Sequence, residues 1–308
     1  MTARPTPRPI EWPTLAMLAL TYAVWITGTL VWEVSALLSL VLTALAIAQF
    51  GSLQHEVLHG HPFANQRLNE ALVFPALALV VPYIRFRDTH LAHHYDPNLT
   101  DPYDDPESNY MDPAQWERTP RMAQKLLRLN NTLLGRMLLG PAISIWYFVK
   151  SDLALIRAGD RGIRDAWLMN GAGVALVLAW LLAIGAMPVL GYVLAAYGAY
   201  SLLKIRTFLE HRAHTAFRAR TVIVEDRGPL ALLFLNNNLH VVHHMHPSVP
   251  WYHLPRMYAA RRDHYQRRNE SYVFASYAEI FRKFLLKAKD PVPHPLWPVK
   301  KSEAPDME

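Results

Sequence analysis

Hydrophobic and polar positions divide the chain into long uncharged runs separated by charged segments rich in histidine. Thr14 to Trp32 carries no formal charge over 19 residues, and about 20 apolar residues cross a bilayer as a helix. Glu33 interrupts, and Val34 to Gln54 is then uncharged for 21 residues and runs into His55. The pair predicts a helical hairpin whose second helix continues beyond the apolar run and presents His55 and His59 on one face. Ala166 to Leu203 is 38 residues without a formal charge. At ~1.5 Å per residue one helix of that length is roughly twice too long for the hydrocarbon core, so two spans are expected, turning near Gly185 to Pro188.

Two apolar stretches are shorter. Ala71 to Ile84 and Met137 to Val149 are too short to span and predict interfacial or re-entrant helices. Asp96 to Asp112 alternates Asp with Pro, which excludes a regular helix. The pattern therefore predicts an all-α integral membrane protein. Four transmembrane helices form two hairpins, at about 14–32, 34–54, 166–185 and 187–205. A cytosolic cap carrying the histidines is built from 85–165 and 206–290, with a flexible arm at 1–12 and a flexible tail at 291–308. The arm holds Arg4 and Arg8 among prolines and lacks the short apolar region and small-residue cleavage site of a signal peptide.

Composition agrees with this reading. The chain is 52% hydrophobic and only 18% charged, against roughly 25% charged in ordinary globular domains. Its net charge of +6 would suggest nucleic acid in a soluble protein. Beside apolar runs of this length, it points instead to basic loops facing anionic headgroups or an acidic partner. Of the 31 Lys and Arg, 2 lie in the N-terminal arm, 12 between Gly51 and Asp165, and 17 between Lys204 and Glu308. The two expected outer turns hold none, so the positive-inside rule places the histidine clusters and both termini in the cytoplasm. With no cysteine, a disulfide framework and a thiolate metal site are both excluded.

The histidines carry the chemistry. His240-Val-Val-His243-His244 repeats the spacing of His90-Leu-Ala-His93-His94. His55-Glu-Val-Leu-His59 precedes both, and His211-Arg-Ala-His214 lies before the last. Residues at i, i+3 and i+4 share one helical face, so each cluster can aim two or three imidazoles at one point. Neutral imidazole suits zinc, copper, iron and nickel. His214 is a weaker ligand candidate, lying within helical reach of His211. Glu56, Glu210, Asp101, Asp104 and Asp105 could accept the outward N–H of a ligating ring. The Asp run could equally be a solvated turn, and Asn236 to Asn238 are expected to cap the helix of the last box.

HxxxH, then HxxHH beginning 31 positions after His59, then HxxHH beginning 146 positions after His94, resembles the membrane fatty acid desaturase and hydroxylase superfamily over nearly the whole chain. That resemblance implies two irons held by His55, His59, His90, His93, His94, His240, His243 and His244. His211, 29 residues before His240, fits a further ligand that such enzymes place after their last span. Where animal acyl-CoA desaturases carry an asparagine four residues ahead of that ligand, this chain has Thr207. The stretch Pro247 to Pro255 resembles the tail of bacterial desaturases and carotenoid ketolases, which implies a bacterial inner membrane. The resemblance further implies dioxygen as co-substrate and an external electron donor, either a ferredoxin or a cytochrome b5-type protein. It implies a lipid-like substrate, with desaturation of a fatty acyl chain preferred. Hydroxylation of an acyl chain or polar lipid, and carotenoid ring hydroxylation or ketolation, are the alternatives. Two remoter readings remain. His55-Glu56-Val-Leu-His59 matches the HExxH of zinc proteases, which would leave both HxxHH boxes idle. A histidine-rich metal transporter would be expected to place its ligands inside the membrane.

Overall fold

The computed structural model describes residues 10–95 and 99–298; the flexible arm expected over 1–9, the start of the Asp–Pro loop at 96–98 and the flexible tail expected over 299–308 lie outside the described residues. Helices make up most of the described chain, and its strands are two of two residues each. It divides into two compact units, one comprising residues 1–85 and 155–199, the other residues 86–154 and 200–308.

The first unit contains the long helices. Three of them, Trp12–Leu30, Ala36–Leu58 and Arg161–Ala183, are long and apolar enough to cross a membrane. Pro13 opens the first, where a missing N–H costs nothing. Ser35 caps the second by accepting from the Leu38 N–H. These two helices pack tightly at Gly28, where a Cβ would come within 2.6 Å of Thr43 Oγ1. Ser39 Oγ donates to the Gly28 carbonyl across the same contact at 2.6 Å. Asp160 caps the third helix through the Ile163 N–H, so that helix begins one turn before its apolar run. The turn between it and the next helix falls at residues 184–188, as the sequence predicts. That next helix, Val189–Thr207, has the 19 residues expected of the fourth span. It carries three tyrosines and ends on Lys204 and Arg206, and it is not among the three that qualify by length and apolarity.

Ala71 to Ile84 corrects an expectation. The stretch is not a helix: the preceding helix, Gln66–Leu72, ends at its start, and the next begins only at Tyr83. Pro75 and Pro82 interrupt the intervening backbone, and Leu79 adopts a left-handed φ of 67°. Val73 and Leu77 are nevertheless fully buried. Buried irregular backbone needs side-chain partners. Tyr22 OH donates to Leu72 O, Tyr192 OH to Leu77 O and Asn170 Nδ2 to Leu79 O. The second short apolar stretch is helical, falling in Leu133–Leu138 and Gly140–Arg157, but that helix runs on through the charged residues after Ser151.

The second unit holds most of the 18-residue helix Gly140–Arg157, a series of shorter helices and a parallel pair of strands, Ile223–Val224 beside Val273–Phe274. Ile223, Leu239, Val241, Val242, Leu254, Tyr258 and Tyr265 form its core. Residues 291–298 correct the expected flexible tail, because they pack here: Val292 and His294 are buried and bond to both sides of Met111.

Candidate metal centre

Each HxxHH box sits on a helix. Tyr83–Tyr95 carries His90, His93 and His94, and the six-residue His240–Met245 carries the last three. In the latter, Val241 and Val242 turn into the apolar core, which leaves the histidines on the opposite face. His211 follows the end of the Val189–Thr207 helix, in an extended segment bridged to Thr221.

The second unit brings seven of these rings into two groups. The ligand atoms of His93, His211, His240 and His244 lie within 4.8 Å of one another. Nε2 to Nε2 separations are 2.9 Å for His93 and His211, 3.2 Å for His240 and His211, and 3.1 Å for His244 and His240. His90, His94 and His243 gather in the same way, at 3.0 Å from His94 to His90 and 3.1 Å from His243 to His94. The two groups adjoin, with the His94 and His244 rings stacked at 4.3 Å. His55 and His59 belong to the first unit. There they close the Ala36–Leu58 helix as a pair with ring centres 4.9 Å apart, and His55 is fully buried.

The outward nitrogens explain what the inward ones can do. His90 Nδ1 meets Glu107 Oε1 at 2.7 Å, His93 Nδ1 meets Asp105 Oδ1 at 2.7 Å, and His240 Nδ1 meets Asn237 Oδ1 at 3.0 Å. A ring that donates its Nδ1 proton outward presents a lone pair at Nε2. Several lone pairs aimed at one point 3 Å apart repel unless a cation lies between them. Metal to imidazole bonds of about 2.0–2.1 Å place adjacent ligand nitrogens roughly 2.8–3.4 Å apart, from right-angled to tetrahedral geometry. The observed separations match, so the donor set fits a nitrogen-ligated metal.

Electrostatics points the same way at four of the rings. Burial, reinforced by neighbouring histidines, holds His211, His240 and His244 well below the usual histidine range, and holds His94 down to about 3. These rings are neutral and ready to ligate. At His93 burial acts in the same sense, but Glu107 and Asp105 outweigh it and hold the proton up to about 9. Burial would raise Glu107, yet His93 and His90 hold it well below the carboxylate range. Burial dominates at Glu210 and raises it.

The remaining candidates divide. Asp105 also accepts from the Thr100 and Glu107 N–H groups, which fixes the loop around His93. Asp101 accepts instead from the Tyr103 and Asp104 N–H groups and so makes a turn, while Asp104 is exposed. Glu210 lies 3.0 Å from Arg206 and 3.8 Å from His240 Nδ1. Glu56 is buried, 3.8 Å from His55 Nδ1. His214 stands apart from both groups, with Nδ1 accepting from the Ala216 N–H and Nε2 3.5 Å from Glu270.

The expected asparagine cap does not form. Leu239 is the N-cap of the last box helix and supplies no side-chain bond. Asn236 takes a left-handed φ of 57°, a conformation asparagine tolerates, and Asn237 holds His240. Asn237 and Glu107 are thus supports that sequence reasoning missed. Glu107 lay in the same acidic loop, and Asn237 lay three residues before His240, but nothing in either pattern distinguishes a support from a turn residue.

A family model described as fatty acid desaturase matches residues 30–276. No curated protein matches the chain.

Proposed function

The chain belongs to the fatty acid desaturase family, and from that premise we propose that it is an oxygen-dependent diiron enzyme of the membrane that desaturates a fatty acyl chain of a lipid. The supporting observation is the convergence of seven imidazoles, three of which, His90, His93 and His240, have their outward nitrogens taken by Glu107, Asp105 and Asn237. His93, His211, His240 and His244 would hold one iron. His90, His94 and His243 would ligate the other, and His55 and His59, the first box of the family motif, are assigned to the centre with them. Iron bound there supplies the oxidising power to take hydrogen from an unactivated C–H bond. Imidazole ligands withstand that oxidant, whereas thiolates would not, and the chain has no cysteine.

In this reaction two hydrogens leave adjacent carbons. Those two hydrogens, with two further electrons and two protons, reduce dioxygen to two waters. The electrons come from a separate ferredoxin or cytochrome b5-type donor, which the basic charge of the chain would attract if the donor is acidic. The chain's own residues orient the ligands. Asp105 and Glu107 fix His93 and His90 with Nδ1 protonated, and their negative charge offsets the positive charge of the centre. The zinc-protease reading would leave both HxxHH boxes idle, yet both are gathered into ligand groups.

For the membrane part we propose four spans, with Val189–Thr207 as the fourth. The histidines and both termini then face the cytoplasm, in agreement with the distribution of Lys and Arg. Because the chain has no cysteine, single cysteines at Glu33, Asp160 and Pro188 can be labelled selectively. Labelling from outside at Glu33 and Pro188 but not at Asp160 is expected, and the reverse pattern would invert the topology.

The reaction is tested by lipid and pigment mass spectrometry of cells expressing the chain beside the His243→Ala, His244→Ala variant. Histidine-dependent loss of two hydrogens from an acyl chain is expected. Gain of an oxygen atom would replace desaturation by hydroxylation or ketolation and keep the metal centre. Active protein without iron would end the diiron reading.

A further inference from the structure

In the second unit six of the ligand histidines lie on helices, which fix the direction of each Cα–Cβ bond. His211 does not, and its ring lacks the Nδ1 support that His90, His93 and His240 have. Its Nδ1 is buried and meets no hydrogen-bonding partner, whereas those of His90, His93 and His240 are held by Glu107, Asp105 and Asn237. The direction of the His211 ring therefore rests on its backbone. On one side that backbone pairs with residues 220–222, through Arg212 N to Arg220 O at 2.8 Å and Val222 N to Glu210 O at 3.1 Å.

The other side is gripped by residues near the C-terminus. Lys289 Nζ donates to the His211 carbonyl at 2.5 Å. Tyr110 OH accepts from the Ala213 N–H at 2.9 Å and donates to Asp290 Oδ2 at 2.6 Å. Lys289 and Asp290 are themselves 3.3 Å apart. The grip is anchored at several points. Lys289 N donates to Asn131 O at 3.0 Å, and Asn131 Nδ2 to Asp290 O at 2.5 Å. Met111 N donates to Val292 O at 2.9 Å, His294 N to Met111 O at 2.8 Å, and the His294 ring meets Thr100 Oγ1 at 3.1 Å. Thr100 and Met111 flank the loop that carries Asp105 and Glu107, so one segment braces the supports of His90 and His93 as well as His211. The family match ends at residue 276, before this segment begins.

We propose that residues 285–298 form a positioning strap for the metal centre, in which Lys289, Asp290 and Tyr110 hold the backbone of His211 so that its Nε2 faces those of His93 and His240. The proposal rests on the metal-centre reading above. Its test is a cobalt(II) titration of the full chain in detergent after chelation, read by visible absorption and by competition with a chelator. Wild type is expected to take two equivalents. Lys289→Met and Asp290→Asn should weaken one equivalent by about 10–100-fold and alter its absorption while sparing the other, and Lys289→Arg should restore both. If folded Lys289→Met takes both equivalents with wild-type affinity and spectrum, the strap does not position His211, whatever the change in Tm. Should Lys289→Met not fold, Asp290→Asn, which keeps the shape of the side chain, decides in the same way. Failure of wild type to bind cobalt would instead remove the metal reading itself.

Discussion

The two HxxHH boxes share a spacing and almost nothing else. The first rides on the 13-residue helix Tyr83–Tyr95 and is braced by anions, with His90 on Glu107 and His93 on Asp105. Its intervening residues bury little: Leu91 is half-buried and Ala92 exposed. The second rides on a helix of six residues that could not persist alone. Its ring support is the neutral amide of Asn237, and its anchorage is apolar, with Val241 and Val242 buried in the core. One box is positioned by charge and the other by packing. The motif specifies which rings share a face, and the surroundings decide how that face is held.

The largest effects should come from removing rings of the four-histidine group. His93→Ala and His240→Ala each delete a member whose Nε2 lies 2.9–3.2 Å from that of His211. Each is expected to abolish one of two metal equivalents and all lipid turnover, read by metal analysis and mass spectrometry. Equal loss from both would show that the boxes contribute alike to the centre despite their different supports.

Substituting the supports separates the boxes. Asp105→Asn leaves an acceptor for His93 but removes the charge, and it disturbs an oxygen pair that also takes the Thr100 and Glu107 N–H groups. A loss of about 10–100-fold in metal affinity is expected. Asn237→Ala removes a neutral partner from His240, and Glu210, 3.8 Å from the same nitrogen, can take its place. Its loss should fall at or below the lower end of that range. Chelator competition on the two purified variants ranks them, and a larger loss from Asn237→Ala would overturn the distinction between charge and packing.

That distinction also explains what was legible beforehand. The ligand rings could be read because i, i+3 and i+4 share a helical face whatever surrounds the helix. The hairpin helices could be read because an uncharged run of about 20 residues has few alternatives. Asp105, Glu107 and Asn237 could not be singled out, because a loop has no period. Asp101 is spent on the N–H groups of its own turn, while Asp105, four residues on, reaches a ligand. Ala71 to Ile84 was misread for a related reason. Apolar content marked it as buried, and its prolines decided that the buried chain would be irregular, held by Tyr22, Tyr192 and Asn170.

The smallest expected effect tests the apolar half of the comparison. Val242 is fully buried in the core that anchors the last box, whereas Leu91, also between the first two histidines of its box, is only half-buried. Val242→Ala removes two buried methyl groups and leaves a cavity, at a cost of about 2 kcal/mol. Leu91→Ala deletes more atoms but frees surface that water already reaches in part, so it should cost less. The unfolding midpoints of the two variants in detergent measure the difference. Metal bound at saturation should stay at the wild-type ratio in both, because neither side chain carries a donor atom for the metal. If Leu91→Ala proves the more costly, the first box is held by packing after all, and the anions at His90 and His93 serve the metal rather than the fold.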